Sequence, residues 1–146
     1  MSPITGPRVL CLTASELSTF LDDVFPGQAR GRFGAVAQFD SDHVRFELVT
    51  GPDALRRGRI VAGPVLMGLA DVARYAVVVA HAGPVAMTVT GTLSITFLRA
   101  CAPGRVTADA WLVNLGRRAA SVDVRLWQHF GIEPVAQALI GYVIPR

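Results

Sequence analysis

GPVLMGLAD (63–71) runs on as VARYAVVVA (72–80), and this stretch decides the fold. Gly63 precedes Pro64, and proline suits the first position of a helix, where its missing N–H costs nothing. Gly83-Pro84 marks the far end. Between these punctuation marks nearly every side chain is apolar. A helix that is apolar on most sides is buried on most sides, so the remaining chain must wrap it. Two charges, Asp71 and Arg74, interrupt the run. Each would cost about 2.5–3.5 kcal/mol near the centre of a membrane span. The stretch 65–80 also falls short of the ~20 residues a span needs. The segment reads as the core helix of a soluble protein.

The flanking segments supply the wrapper. TASELSTFLDDVF (13–25) carries a helix pattern: Thr13 or Ser15 can cap it, Leu17, Phe20, Leu21 and Val24 form one stripe, and Pro26-Gly27 stops it. QARGRFG (28–34) is a linker. GAVAQFD (34–40) and HVRFELV (43–49) read as two strands around the turn Asp40-Ser41-Asp42, the second alternating Val44, Phe46 and Leu48 against His43, Arg45 and Glu47. TGPDALRRGRI (50–60) reads as a polar loop. After the helix come four strand patterns, 85–98, 105–114, 119–129 and 134–144, separated by CAPG (101–104), NLGRR (114–118) and HFGIE (129–133). Short turns between consecutive strands imply an antiparallel sheet. The expectation is an α+β domain spanning 1–146, with residues 1–33 as N-terminal helix and linker. Residues 34–146 form the core, a sheet curled round one long helix.

Composition narrows the function. The 146 residues are 51% hydrophobic and 17% charged, a globular balance. A net charge of +3 with scattered basic residues argues against nucleic acid. All fourteen basic residues are Arg, so any anion would meet the planar guanidinium fork. Cys11 and Cys101 fit no metal spacing or disulfide framework, and read as idle thiols in a reducing compartment. MSPITGPRVLCL lacks the basic start and apolar core of a signal peptide, which points to the cytoplasm. His43 alternates with surface residues, His81 ends the helix where a cation is favoured, and His129 sits at a turn. No nucleophile elbow, P-loop or zinc spacing is present. No metal or cofactor is expected.

From about residue 34 onward the chain resembles the hotdog-fold acyl-CoA thioesterases, in the branch of the phenylacetyl-CoA thioesterases. The resemblance is carried by GPVLMGLAD at the helix start, TFLRACAPG at 96–104 and NLGRRAASVDVRL at 114–126. The family shows His-Gly-Gly, six residues, then Asp on this helix, followed by Phe-Leu-Arg-Pro and a Gly-Arg turn. The resemblance implies that Asp71 acts on a thioester carbonyl as general base or nucleophile, and that a backbone N–H at the helix start, at Gly63, polarises the carbonyl oxygen. The physics is compatible. A helix N-terminus offers free N–H donors and a positive dipole end to the developing oxyanion. A carboxylate against apolar walls gains basicity.

Asp71 lies eight residues beyond Gly63, about 12 Å along a helix. One carbonyl cannot lie within ~3 Å of both. If both act, they come from different subunits with their helices side by side and antiparallel, which the resemblance also implies. The competing reading pairs Asp71 with Arg74, three residues on, as a surface or interface ion pair. Ala62 and Pro64 stand where the family has His and the second Gly, so side chains that help hold the thioester are missing. Arg99, Arg117 and Arg118 are candidates for the phosphates of coenzyme A, and Arg56, Arg57 or Arg59 could replace lost contacts at the helix start. Ala62, Pro64 and Met67 join them as substrate-binding candidates.

On strand 85–98, Thr88, Thr90, Thr92, Ser94 and Thr96 should share one face, and Val89, Gly91, Leu93, Ile95 and Phe97 should pack on the helix. The hydroxyl face reads as a solvated face of threonines that suit a strand, with the alternative that Ser94 or Thr90 lines an acyl or pantetheine groove in the oligomer. Leu66, Met67, Tyr75 and Phe97 are expected to shape that groove between subunits. The expected partners are an acyl-CoA thioester, with small or aromatic acyl group, and a second copy, as a dimer or dimer of dimers. A silent module that binds acyl-CoA or an acyl carrier, and a purely structural oligomer, are the alternatives.

Overall fold

A computed structural model describes residues 9–25, 34–83, 89–128 and 132–143. The linker 28–33, Pro26-Gly27, Pro84, strand positions 85–88 with Thr88, and His129 lie outside these residues.

Helix α1 spans Ala14–Val24, and it has a capping box: Glu16 N–H donates to Thr13 Oγ1 and Thr13 N–H to Glu16 Oε1. Strands β1 (Ala35–Asp40) and β2 (His43–Val49) form a hairpin. Its turn uses Asp42 at φ 64°, a conformation aspartate tolerates. The segment expected as a loop holds a short 3-10 turn, Pro52–Ala54, and a two-stranded hairpin, β3 (Leu55–Arg56) with β4 (Ile60–Val61). Gly58 at φ 93° and Arg59 at φ 57° close it, so the glycine inside the arginine run is a turn residue.

Helix α2 covers Gly63–Ala82, as its punctuation predicts, and thirteen of its twenty residues are buried. It passes the length and hydropathy test for a membrane span, yet it is the buried core helix. Four strands follow: β5 (Val89–Phe97), β6 (Arg105–Leu115), β7 (Ala119–Gln128) and β8 (Ala136–Val143). One antiparallel sheet runs in the order β1-β2-β6-β7-β8-β5. Its inner face, including Val44, Phe46, Ala108, Val122, Val124 and Ile140, closes on α2, while α1 adds Leu17 and Leu21.

The expected stripe on β5 needs a correction. The register with β8 slips between Thr90 and Thr92, so Gly91 is a bulge. An extra residue reverses which face the preceding side chain occupies. Thr92 and Ser94 pair with outward-facing Gly141 and Leu139, whereas Thr90 pairs with buried Tyr142 and turns toward the helix. Nor does the apolar side of β5 pack fully on α2. Leu93 and Ile95 reach the core edge, but Val89, before the bulge, pairs with exposed Val143 on the outer face, and Phe97 remains exposed at the end of an edge strand.

Candidate active site

The two ends of α2 are treated differently. At the C-terminal end Cys11 N–H donates to Ala80 O at 2.7 Å, the Cys11 thiol to His81 O, and Gly83 N–H to Val79 O. His81 joins this closure: Nδ1 donates to Val77 O and Nε2 accepts the Asp42 N–H at 2.8 Å. At the N-terminal end Ala62 offers no capping side chain. Pro64 has no N–H, and those of Val65 and Leu66 turn back to Ala62 O at 3.0 and 3.3 Å. One donor remains: the Gly63 N–H has no acceptor among the described residues. An uncapped start on the most buried helix is a local violation of the kind that functional sites carry.

Gly63 lines a cavity of about 440 Å³ with Arg56, Val61, Leu66, Phe97 and Arg99. The Phe97 ring lies over it: a Cβ built on Gly63 would stand 3.4 Å from Phe97 Cζ. Of the basic candidates, Arg56 and Arg99 therefore reach this site. Arg99 is held by Glu133 Oε2 at 2.5 Å and Pro134 O at 2.9 Å. Buried Cys101 also lines the cavity, and burial pushes its thiol up, which keeps it protonated and unreactive. A second hollow of about 590 Å³ lies on the other side of the helix start, between Pro64, Val65 and Gly68 and the 48–54 segment.

Asp71 occupies a different place. It lines a shallow hollow of about 300 Å³ with Met67, Gly68, Thr90 and Leu93. Its Oδ1 accepts from Thr90 Oγ1 at 2.9 Å and from Arg74 Nη2. The apolar walls expected around it are thus interrupted by two donors. The ion pair with Arg74 forms, but not as a surface pair: Arg74 is 3% exposed, and its guanidinium lies 4.2 Å over the Tyr142 ring. Burial pushes the Tyr142 hydroxyl well above its ordinary value. Gly63 lies beneath Phe97 at one end of β5 and Asp71 beside Thr90 at the other, as the 12 Å separation on one helix requires.

Pro64, Met67, Gly68 and Asp71 form a partly open stripe on α2 at helical spacing. Met67 is 37% and Phe97 48% exposed beside it. Tyr75 and Leu66, expected between subunits, are buried within the chain, Tyr75 among Phe20, Phe25 and Tyr142. Arg117 and Arg118 are exposed on the β6–β7 turn, which the strand registers place at the Asp71 end of the sheet. Arg57 and Arg59 are exposed near the β3–β4 turn, and Ser94 faces outward, away from both Gly63 and Asp71.

Sequence reasoning missed one cluster. On the outer face of the sheet buried Asp109 accepts from Arg45 Nε at 2.8 Å and Nη2 at 3.1 Å, and lies 2.8 Å from His43 Nε2. The His43 ring packs on Trp111. Burial pushes the Asp109 carboxyl up, but the Arg45 and His43 hydrogen bonds outweigh it and hold the group below its ordinary range. Among the described residues no group of His, Cys, Asp or Glu could hold a metal ion.

The family model of the thioesterase superfamily matches residues 58–133. A protein from Silicibacter sp. TM1040 described as a thioesterase is 34% identical, with 96% of each chain covered and a TM-score of 0.87. Zebrafish thioesterase superfamily member 2 shares the fold at 19% identity, with 92% of this chain and 99% of that one covered and a TM-score of 0.80. A phenylacetic acid degradation-related protein from Ralstonia eutropha JMP134 shares it at 23% identity, with 86% and 98% covered and a TM-score of 0.75. No curated protein matches the sequence significantly. The matched segment begins just before the bare helix start and contains Gly63, Asp71, Thr90 and Phe97: the chain has the hotdog fold and belongs to the thioesterase superfamily.

Proposed function

We propose that this thioester hydrolase cleaves acyl-CoA thioesters with a small or aromatic acyl group, at a site shared by two copies of the chain. The observation that carries the reading is the Gly63 N–H, which has no acceptor among the described residues, paired with a carboxylate on the same helix that cannot reach the same carbonyl. In an antiparallel pair of α2 helices, each Asp71 comes opposite the other copy's Gly63. The thioester oxygen accepts the Gly63 N–H. Asp71 of the other copy takes a proton from water as the water oxygen bonds to the carbonyl carbon. The oxyanion collapses, the C–S bond breaks, and the sulfur leaves with a proton, giving acid and thiol. With Ala62 and Pro64 in place, no side chain at the helix start shares this work.

The open stripe Pro64, Met67, Gly68 and Asp71, with Met67 and Phe97 exposed, supports self-association. Gly68 allows close approach of a neighbouring backbone. The same antiparallel arrangement carries the Arg117–Arg118 turn of one copy toward Arg56 and Arg99 of the other. Such a group of guanidinium forks suits the phosphates of coenzyme A. An aromatic acyl group is in keeping with the fold shared with the phenylacetic acid degradation-related protein of Ralstonia eutropha and with the phenylacetic acid degradation protein PaaI of Thermus thermophilus.

The test is thiol release from a panel of short, medium and aromatic acyl-CoAs by the unmodified protein and by Asp71→Asn. Loss of about 10²–10⁴-fold in kcat with the dimer intact is expected. Equal turnover would remove Asp71 from the mechanism. Tight acyl-CoA binding without turnover would make the chain a binding module.

A further inference from the structure

Arg74 is a poor residue for the space it fills. It is 3% exposed on α2, stacked on Tyr142, and its Nε and Nη1 have no hydrogen-bond partner among the described residues. Its polar contact among the described residues is the bond from Nη2 to Asp71 Oδ1. Burying a guanidinium is expensive, and one bond to a carboxylate whose side chain is 43% exposed offsets little of that cost. A methionine or leucine would fill the same volume without leaving buried donors unpaired. Packing therefore gives no reason for an arginine here, whereas Asp71 does.

Asp71 is a short side chain on an open stripe, free to rotate unless held. The bond from Arg74 reaches it from a rigid base, since the guanidinium is clamped against an aromatic ring. Thr90 donates to the same oxygen from β5. Both bonds fall on Oδ1, and Oδ2 has no partner among the described residues. The carboxylate is thus held by one oxygen and presented by the other.

We infer that Arg74 is a positioning residue: anchored on Tyr142, it fixes Asp71 through Oδ1 so that Oδ2 is the atom that meets water and the thioester. It does not touch the substrate. The inference rests on the acyl-CoA hydrolase reading above.

Arg74→Met separates this role from a structural one. Expected is a loss of about 10–100-fold in kcat, because a small misplacement of a reacting group is costly. KM should stay within about twofold, since ground-state binding is untouched. The Tm should be unchanged or higher, because a buried ion pair gives way to apolar packing. Arg74→Lys, which keeps the charge but loses the planar stack, should recover part of kcat. Asp71→Asn should lower Tm by weakening the hold on a buried cation, and adding Arg74→Met in the same chain should restore it. Unchanged kcat in Arg74→Met would overturn the role and leave the hydrolase reading standing. A joint fall of kcat and Tm would overturn it in favour of packing. Absence of turnover by the unmodified protein across the panel would overturn the hydrolase reading and this role together.

Discussion

Asp71 and Asp109 are both carboxylates beside an arginine, yet burial gives them opposite tasks. Asp71 is half open, and one of its oxygens is unclaimed. Asp109 is buried, and Arg45 and His43 claim both its oxygens. Asp109 therefore reads as a cross-strand clasp between β2 and β6. Asp109→Asn should destabilise the protein by about 1–3 kcal/mol in urea unfolding, a figure discounted because Arg45 is nearly half exposed. The pH dependence has a definite sign. The folded-state value lies below the ordinary one near 3.8, so the contribution is present above that pH and is lost as pH falls through the folded value. In the wild type the urea midpoint should decline below about pH 4, and the Asn variant should decline less. Asp71 was legible in the sequence because it breaks an apolar run. Asp109 was not, because its partners lie on another strand, and only the register of β2 on β6 brings Arg45 opposite it.

The elements show why α2 was readable and β5 was not. Helix punctuation is local: Pro64 near the start and Gly83 at the end bounded α2 correctly from composition alone. A bulge is also local, and a glycine within a strand pattern is its usual sign. Read as one more member of an alternating strand, Gly91 put Thr90 on the wrong face. The structure turns Thr90 inward, where its hydroxyl reaches Asp71. Thr90→Val keeps the shape and removes the donor. With Arg74 still bonded to Oδ1, kcat should fall by only about 3–10-fold and Tm should barely change, as for one hydrogen bond lost from a half-open carboxylate that water can resolvate. A loss as large as that of Asp71→Asn would mean that Thr90 acts on the substrate itself. Sequence also could not show that the thirteen buried residues of α2 leave its first two turns partly bare. That depends on β5 ending the sheet, a fact of topology.

The ~12 Å between Gly63 and Asp71 makes the assembly testable as a unit. If each site takes Gly63 from one copy and Asp71 from the other, two different inactive chains should restore activity when paired. Gly63→Pro removes the proposed oxyanion donor, and its structural cost is confined to the strain of a helical residue that precedes Pro64. The N–H it deletes has no acceptor among the described residues, proline is tolerated in the first helical turn, and Ala62 already has the extended ψ of 143° that precedes a proline. Alone it should lose about 10²–10³-fold in kcat, the usual weight of one oxyanion donor. Asp71→Asn is the second chain. In a heterodimer of the two, one site combines an intact Gly63 with an intact Asp71, and the other site combines both lesions. A purified heterodimer, selected with two affinity tags, should therefore recover about half of wild-type activity by two-fold symmetry. A site built within one chain predicts the reverse, since each copy would carry a lesion of its own and the heterodimer would be as inactive as either parent. A wild-type chain that remains active as a monomer would reject the shared site outright and leave the open stripe on α2 without its proposed partner.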